Sequence, residues 1–448
     1  MTSSNRNRQV DDARAIFNAA VRAVQADSLL ESVQWDDIGP RHIQSYNRIY
    51  IVGMGKAALA TASVLEGILD RKIVHGVIAV PEGYLASLPG HLRSPTRIQA
   101  IEAGHPLPNE GSLRAAERIL ELAGRAEKGE LLLALVSGGG SSLCAKFVDD
   151  VTLDDARDTF QLLLKSGADI YAVNTVRKHL TRVGGGQLAA AAAPADVVAL
   201  VVSDVVGNDL SVIASGPTVA DSSTYEDAYV ILEERKLWDR VPASVRHAIE
   251  SGQSVRGDGL QPIHSDNFER VTNLLLATND DALHAASSEA SKRGYDAEIL
   301  SNGMTGEARE VGRYLVESAL ERTVRRPLCL IAGGETTVTV RGTGKGGRNL
   351  EMALAASLGM HGENRAVVFL SGGTDGIDGA TDAAGAWATP DTVAAGKKKG
   401  LDARDFLANN DSYTFFLHID GLFKTGHTHT NVMDVQIMII DRPMRNSS

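Results

Sequence analysis

Apolar positions along the chain follow two rhythms. Three- and four-residue steps at Ala13, Ile16, Ala20, Val21 and Val24 predict an amphipathic helix over 11–34. Similar spacing predicts helices over 57–69, 112–126 and 154–168, the last entered through Thr152 or Asp154 as N-cap. Short unbroken apolar runs predict buried strands: Ile49 to Val52, Leu131 to Val136, Val197 to Val202, Leu328 to Ile331 and Ala366 to Leu370, with a further β-like segment at 74–80. Strands alternating with helices predict a doubly wound, mostly parallel sheet with helices on both faces. From Ser251 to Asn267 the chain is polar, carries Gly and Pro, and lacks periodicity, as a linker does. The pattern then restarts with strand 272–277, helix 280–293, strand 296–300, helix 305–322 and strand 328–332. The expected fold is α/β with two α/β domains, residues 1–255 and 268–448. The tail after Arg442 is expected to be disordered.

Five of the apolar runs stop at loops of Gly, Ser, Thr or Asp. Ligands of open α/β sheets bind outside the carboxyl ends of the strands, where glycine exposes backbone N–H groups suited to an anion. The loops are Gly53-Met54-Gly55-Lys56, Ser137-Gly138-Gly139-Gly140-Ser141-Ser142, Ser203-Asp204, Gly333-Gly334-Glu335-Thr336-Thr337 and Ser371-Gly372-Gly373-Thr374-Asp375-Gly376. The first is neither a Walker A loop, since Ala57 follows the lysine, nor a full Gly-x-Gly-x-x-Gly fingerprint, since Ala58 takes the third glycine's place. The second offers a backbone nest and two hydroxyls and lacks Gly-x-Ser-x-Gly. Asp204 at a strand end, and Asp375, Asp378 and Asp382 in a glycine-rich loop, suit Mg²⁺ or general-base work, while N-caps and Asx-turns explain single members equally well. Asn174 to His179 puts two cations and an imidazole ahead of Gly184-Gly185-Gly186; anion contact and a solvated helix face both fit. Arg348 opens a helix after a glycine-rich run and is suited to bidentate carboxylate or phosphate binding. Asn409-Asn410-Asp411-Ser412 and the loop holding His427 and His429 complete the set; polar loop histidines fit that pair better than a Zn²⁺ site.

Composition narrows the class. Gly is 44 of 448 residues, against a usual share of about 7%, and the excess lies in these loops. A net charge of −11 argues against a nucleic-acid binder, so an anionic substrate must be held by a few local cations and backbone donors. The two cysteines, Cys144 and Cys329, supply neither a disulfide framework nor metal spacing. No signal peptide and no membrane-spanning run is visible, so a cytoplasmic location is expected.

Taken in order, Val52 to Ala57, Ala103-Gly104-His105-Pro106, Ser137 to Ser141, Asn174 to Leu180, Ser203-Asp204-Val205, Ile213 to Thr218, Gly333 to Thr337, Gly346 to Asn349, Ser371 to Asp378, Asp382 to Ala386 and Thr425 to Asp434 resemble glycerate 2-kinases that carry a C-terminal MOFRL domain, some of them earlier labelled hydroxypyruvate reductases. The resemblance covers roughly residues 10–440. It implies a Rossmann-like three-layer sandwich followed by a smaller MOFRL-type domain across a cleft, and ATP- and Mg²⁺-dependent phosphorylation of D-glycerate at its 2-hydroxyl. It places the family's active-site lysine and arginine on Lys56 and Arg348. The expected catalytic set is Lys56, Arg348, Asp204 and Asp375. Expected cofactor contacts are Gly53, Gly55, Ser137, Gly138, Gly139, Gly140, Ser141, Gly334, Glu335 and Thr336, with Asp204, Asp375 and Asp378 toward the metal. A homodimer is the expected oligomer, with neither nucleic acid nor membrane as partner. Gly184, Leu350, His427 and His429 depart from the family pattern, the last three in the expected substrate region. The rival readings are an NAD(P)H-dependent hydroxypyruvate reductase and a non-catalytic anion-binding module.

Overall fold

The computed structural model describes residues 3–35, 38–254 and 268–441. Most of the expected linker, and the tail after Arg442, lie outside the described residues.

The first sheet contains β1 (Ile49–Met54), β2 (Ile73–Pro81), β3 (Ile98–Ala103), β4 (Leu131–Ser137), β5 (Asp196–Val202) and β6 (Val271–Ala277), in the order β3-β2-β1-β4-β5-β6. The pairs from β3 through β5 are parallel. Burial follows position. β1, β4 and β5 are buried along their whole length, whereas the edge strands β3 and β6 are largely half-exposed. A central parallel strand is covered on both faces, which is why these three read as continuous apolar runs. Strand order reverses between β1 and β4, and the loops after those two strands are Gly53–Lys56 and Ser137–Ser142. This is the topological switch point where doubly wound sheets bind ligands.

The second sheet contains β7 (Asp296–Met304), β8 (Leu328–Gly334), β9 (Val367–Gly373), β10 (Gly385–Ala388), β11 (Leu422–Phe423) and β12 (Asp434–Ile440), in the order β11-β10-β9-β12-β8-β7. It is mixed: β7 and β8 are parallel, and β12 runs antiparallel to both β8 and β9. The core beside it packs Leu330, Phe369 and Met438 against Leu350, Leu354 and Phe415. Leu350, expected near substrate, is fully buried in this core.

Compact units form around the two sheets, Leu29–Ser203 with Asn208–Leu276, and the described parts of Met1–Ser28, Asp204–Gly207 and Ala277–Ser448. This division differs from the expected boundaries in three places. The N-terminal helix Ser3–Ala23 belongs with the second sheet: Asp12 accepts from Arg293 Nη1 and Tyr295 Oη, both at 2.7 Å, and Phe17 meets Phe423 edge-on at 4.9 Å. The strand expected to open the second domain is β6, which closes the first sheet; the buried Asp196 carboxylate pairs with Arg270 at 2.9 Å just ahead of it. Asp204 to Gly207 leave their flanking chain and join the second unit.

No strand runs from Glu335 toward Arg341. Residues 341–345 form a clasp whose N–H groups are taken by the segment after helix Ala403–Ala408. Asn410 Oδ1 accepts from Arg341 N at 2.7 Å and Gly342 N at 3.0 Å, Asn409 Oδ1 from Thr343 N at 3.1 Å, and Asp411 Oδ1 from Lys345 N at 3.0 Å. Asn410 also donates to the buried Glu351, which Arg309 pairs at 2.6 Å. The glycines here let a loop lie close to its clasp.

Gly334 is a second close approach. Its φ is +142°, and a Cβ there would lie 2.3 Å from Met304 N and O. Gly334→Ala is expected to lower stability by more than about 2 kcal/mol, seen as a lower urea midpoint, whereas a Cβ at the open Gly362 meets no atom within 4 Å.

Candidate active site

Each unit carries a cluster of the expected residues. In the first, Gly55 has φ +120° and its N donates to Ala79 O at 3.2 Å, while Lys56 N donates to Gly138 O at 3.0 Å. The two switch-point loops are therefore stitched together. Ser137 is part of that stitching: its buried hydroxyl accepts from Ala57 N at 3.1 Å, so it serves the loop rather than facing a ligand. Gly139 is left-handed at φ +83° and opens helix Gly140–Leu143 with no side-chain cap. The first N–H groups of such a turn have no intrahelical partner. His105 lies on Gly139, where a Cβ would come within 2.8 Å of its ring. The side chain of Lys56 is half-buried at the start of helix Ala58–Leu69.

The cations of the Asn174–His179 run separate. Lys178 is buried against Asp221 at 2.9 Å. His179 Nδ1 lies 2.8 Å from Thr175 O, and its ring stacks edge-on with Tyr225. Arg177 bonds Asn174 Oδ1 at 3.1 Å and stacks over Phe160, with no carboxylate at ion-pair distance among the described residues. Burial lowers its pKa to about 10, so it stays cationic at neutral pH.

In the second unit the site is organised by β12. Asp434, its first residue, is in register with Gly334 at the end of β8 and with Gly373 at the end of β9. Two glycine-ended strands thus flank one fully buried carboxylate. Arg348 at the start of helix Arg348–Gly359 grips it, Nε to Oδ2 at 2.6 Å and Nη2 to Oδ1 at 2.9 Å, and reaches Glu335 through Nη1 at 2.8 Å. Burial opposes the charge on Arg348, but Asp434 and Glu335 outweigh it and hold the guanidinium's pKa well above its ordinary value. Of the five N–H donors of arginine, two remain for a ligand. Thr336 beside Glu335 is buried. Asp434 is the residue that the sequence reading missed. It stands directly ahead of Val435 to Ile440, a run interrupted by Gln436, which gave no clear strand signal.

The acids divide. Asp378 is buried at the head of the same helix, accepting from Leu350 N at 2.8 Å and Asn349 N at 3.2 Å. Its geometry is that of a helix cap supplied by another loop, not of an open metal ligand. Asp375 is buried, and its Oδ1 accepts from Ile377 N at 3.1 Å in an Asx-turn. Asp204, half-exposed, accepts from Asn431 Nδ2 at 3.1 Å. It therefore belongs with the second unit rather than the first. Asp382 pairs with Lys424 at 2.7 Å on the surface. His429 is buried with φ +57° and its ring centroid is 6.5 Å from that of His427, so the two do not form an extended pair. Among the described residues no group of three or more His, Cys, Asp or Glu forms a metal cluster. One or two carboxylates are still enough for Mg²⁺ that arrives on phosphate oxygens, and Asp204 and Asp375 fit that smaller role.

Asp378 yields a pH prediction. Burial, the largest effect, pushes its carboxyl up to about 7, against the pull of the Leu350 and Asn349 N–H groups and Arg348. The ordinary value is about 3.9, so the folded state holds the extra proton between the two. Its contribution is full below the unfolded pKa and is lost as pH rises through about 7. Asp378→Asn should therefore flatten the fall in stability between pH 5 and pH 8 by about 2 kcal/mol, checked by urea unfolding at both pH values.

Residues 12–250 match the family described as a domain of unknown function (DUF4147), and residues 328–434 match the MOFRL family. The D-glycerate 2-kinase of Thermotoga maritima is 40% identical over 88% of this chain and 91% of its own. A putative hydroxypyruvate reductase of Agrobacterium vitis is 38% identical over 95% and 93%. The crystal structure of a Thermotoga maritima glycerate kinase superposes with a TM-score of 0.82 at 37% identity, covering 97% of this chain and all of that one. The chain belongs to the glycerate kinase family whose members carry a MOFRL domain.

Proposed function

We propose that this enzyme transfers the γ-phosphoryl group of ATP to the 2-hydroxyl of D-glycerate, giving 2-phosphoglycerate. The observation that carries the reading is the Arg348–Asp434–Glu335 cluster at the carboxyl ends of β8 and β9, in a chain 40% identical to a D-glycerate 2-kinase. Phosphoryl transfer asks a protein mainly for positioning and for charge at the equatorial oxygens. Lys56 supplies a cation at the switch point, beside the turn that Gly139 opens. Arg348 supplies a rigid one. Its two remaining N–H groups suit one carboxylate or phosphoryl edge, and the two acids prevent it from swinging away. Mg²⁺, when bound with the nucleotide, would neutralise phosphate charge; Asp204 and Asp375 would hold it or its water. Asp375, buried beside Gly373, or Asp204 would accept the hydroxyl proton.

The reductase reading keeps one observation in its favour, since the β3-β2-β1-β4-β5-β6 order is that of dinucleotide-binding sheets. Against it, Ala58 stands where the third glycine of the fingerprint would be, and its side chain is 1% exposed.

Phosphorus NMR of a reaction with ATP, Mg²⁺ and D-glycerate decides. A 2-phosphate is expected. A 3-phosphate, or no phosphate with NADH oxidised by hydroxypyruvate, overturns the proposal. Two variants test the assigned groups. Lys56→Ala should lower kcat/KM at least about 100-fold with an unchanged melting temperature. Arg348→Ala should lower kcat/KM as far and also destabilise the fold by about 3 kcal/mol, because Asp434 is left buried and unpaired. The double variant should be little worse than either single one, as for groups serving one step.

A further inference from the structure

The turn Ile213–Gly216 has a backbone that needs a reason. Ala214, Ser215 and Gly216 lie consecutively in the left-handed region, with φ +49°, +61° and +60°. Non-glycine residues there are strained and persist only where the surroundings over-determine them. Here they do. Gly185 N donates to Ser215 O and Gly186 N to Gly216 O, each at 2.8 Å. Asn174 Nδ2 donates to Val212 O at 3.1 Å. The strained turn delivers one side chain, Ser215, to the glycine loop after β4: its Oγ is 2.7 Å from Ser141 Oγ.

The hydrogen-bond direction along this chain is fixed. Guanidinium only donates and a carbonyl only accepts. Arg177 Nη1 donates to Asn174 Oδ1 at 3.1 Å, and the amide's other end donates to Val212 O, so the amide has one orientation. Ser215 Oγ is 3.0 Å from that same Oδ1, which carries no proton, so the single proton of Ser215 must point there. The 2.7 Å contact between the two serines then needs the proton of Ser141. Ser141 is left with lone pairs only on its half-exposed side. A hydroxyl in a glycine-rich loop is ordinarily read as a donor to phosphate. This one is turned into an acceptor.

We propose that Ser141 accepts a hydrogen bond from an alcohol O–H of the bound ligand, a hydroxyl that is not itself phosphorylated, and that Ser215, Asn174 and Arg177 are positioning residues that hold its proton away. The proposal rests on the kinase reading and refines it: the Ser141 edge of the loop reads a hydroxyl instead of a phosphate oxygen. Two hydroxyl sources enter the reaction, the 3-hydroxyl of glycerate and the ribose of the nucleotide.

The test measures kcat/KM for D-glycerate against D-lactate, which lacks the 3-hydroxyl, and for ATP against 2′-deoxy- and 3′-deoxy-ATP, in wild type, Ser141→Ala and Ser215→Ala. A site built to pair a substrate hydroxyl rejects the analogue lacking it because its own polar group is stranded. Ser141→Ala is expected to reduce one of these two preferences at least about tenfold. Ser215→Ala should reduce the same preference by a smaller factor, because a freed Ser141 can rotate and donate. Arg177→Lys, still donor-only, should keep more of it than Arg177→Met. A loss confined to glycerate over lactate assigns the acid's hydroxyl; a loss confined to the nucleotides assigns the ribose. A merely structural role would lower rates for all substrates together and leave the ratios unmoved. Ratios within twofold of wild type in both serine variants, with glycerate still phosphorylated, overturn the inference alone. If wild type phosphorylates neither acid, the kinase reading falls and the inference with it.

Discussion

The second unit is arranged around one buried ion pair. Asp434 has no solvent exposure, and a carboxylate so placed is tolerable only when a cation and further donors surround it. Arg348 answers with a two-point fork. That constraint reaches outward in sequence. β12 must insert between β8 and β9 in a register that puts its first residue level with Gly334 and Gly373. Helix Arg348–Gly359 must begin where the guanidinium can reach, and Asp378 holds that beginning through two backbone N–H groups. A Cβ at Gly347 would lie within 2.3 Å of the Asp378 carboxyl, so the chain cannot enter the helix with any other residue there. Asn279 Nδ2 adds a bond to Asp434 O at 3.0 Å from a third direction.

Glycine consequently does two jobs that look alike in the sequence. In the first unit, Gly139 opens a turn with orphan N–H groups, and the loop around it has the makings of an anion seat. In the second, Gly334, Gly342 and Gly347 mark places where backbone touches backbone or a carboxylate, with Cβ clearances of 2.3 Å. The N–H groups of the 341–345 clasp are consumed by Asn409, Asn410 and Asp411. A glycine-rich loop therefore binds an anion only if its donors are not already spent, and that depends on residues more than sixty positions downstream.

This division explains what could be read from the chain in advance. β1, β4 and β5 are continuous apolar runs because a central parallel strand is covered twice, so the loops behind them could be placed at carboxyl strand ends from that pattern; that two of them flank the switch point follows from the strand order. Of the two N-caps offered for helix 154–168, the chain uses Thr152, whose side chain accepts from Asp155 N. What did not show was anything depending on antiparallel insertion. β12 begins with an acid and carries a glutamine, Gln436, so its central place in a mixed sheet has no local signature. The membership of helix Ser3–Ala23 depends on Asp12 meeting Arg293 and Tyr295, a contact spanning about 280 positions. Asp375 and Asp378, two neighbours in one loop, gave identical composition cues, yet one forms a turn and the other caps a helix.

Hydrogen-bond polarity is a further layer that composition leaves open. Ser137 and Ser141 belong to the same six-residue motif, and both would be counted as phosphate donors. Ser137 is enclosed by the loop after β1 and spends its oxygen on Ala57 N. Ser141 faces a strained turn whose own partners end at an arginine with no carboxylate at ion-pair distance among the described residues. Because arginine has nothing but protons to offer, the direction it imposes passes through Asn174 and Ser215. The cost of the left-handed residues at 214 and 215 is intelligible on this view: an ordinary turn would leave Ser141 free to rotate and serve any neighbour. The strain converts a generic hydroxyl into one with a defined sense, which is what discrimination between a ligand hydroxyl and a phosphate oxygen requires.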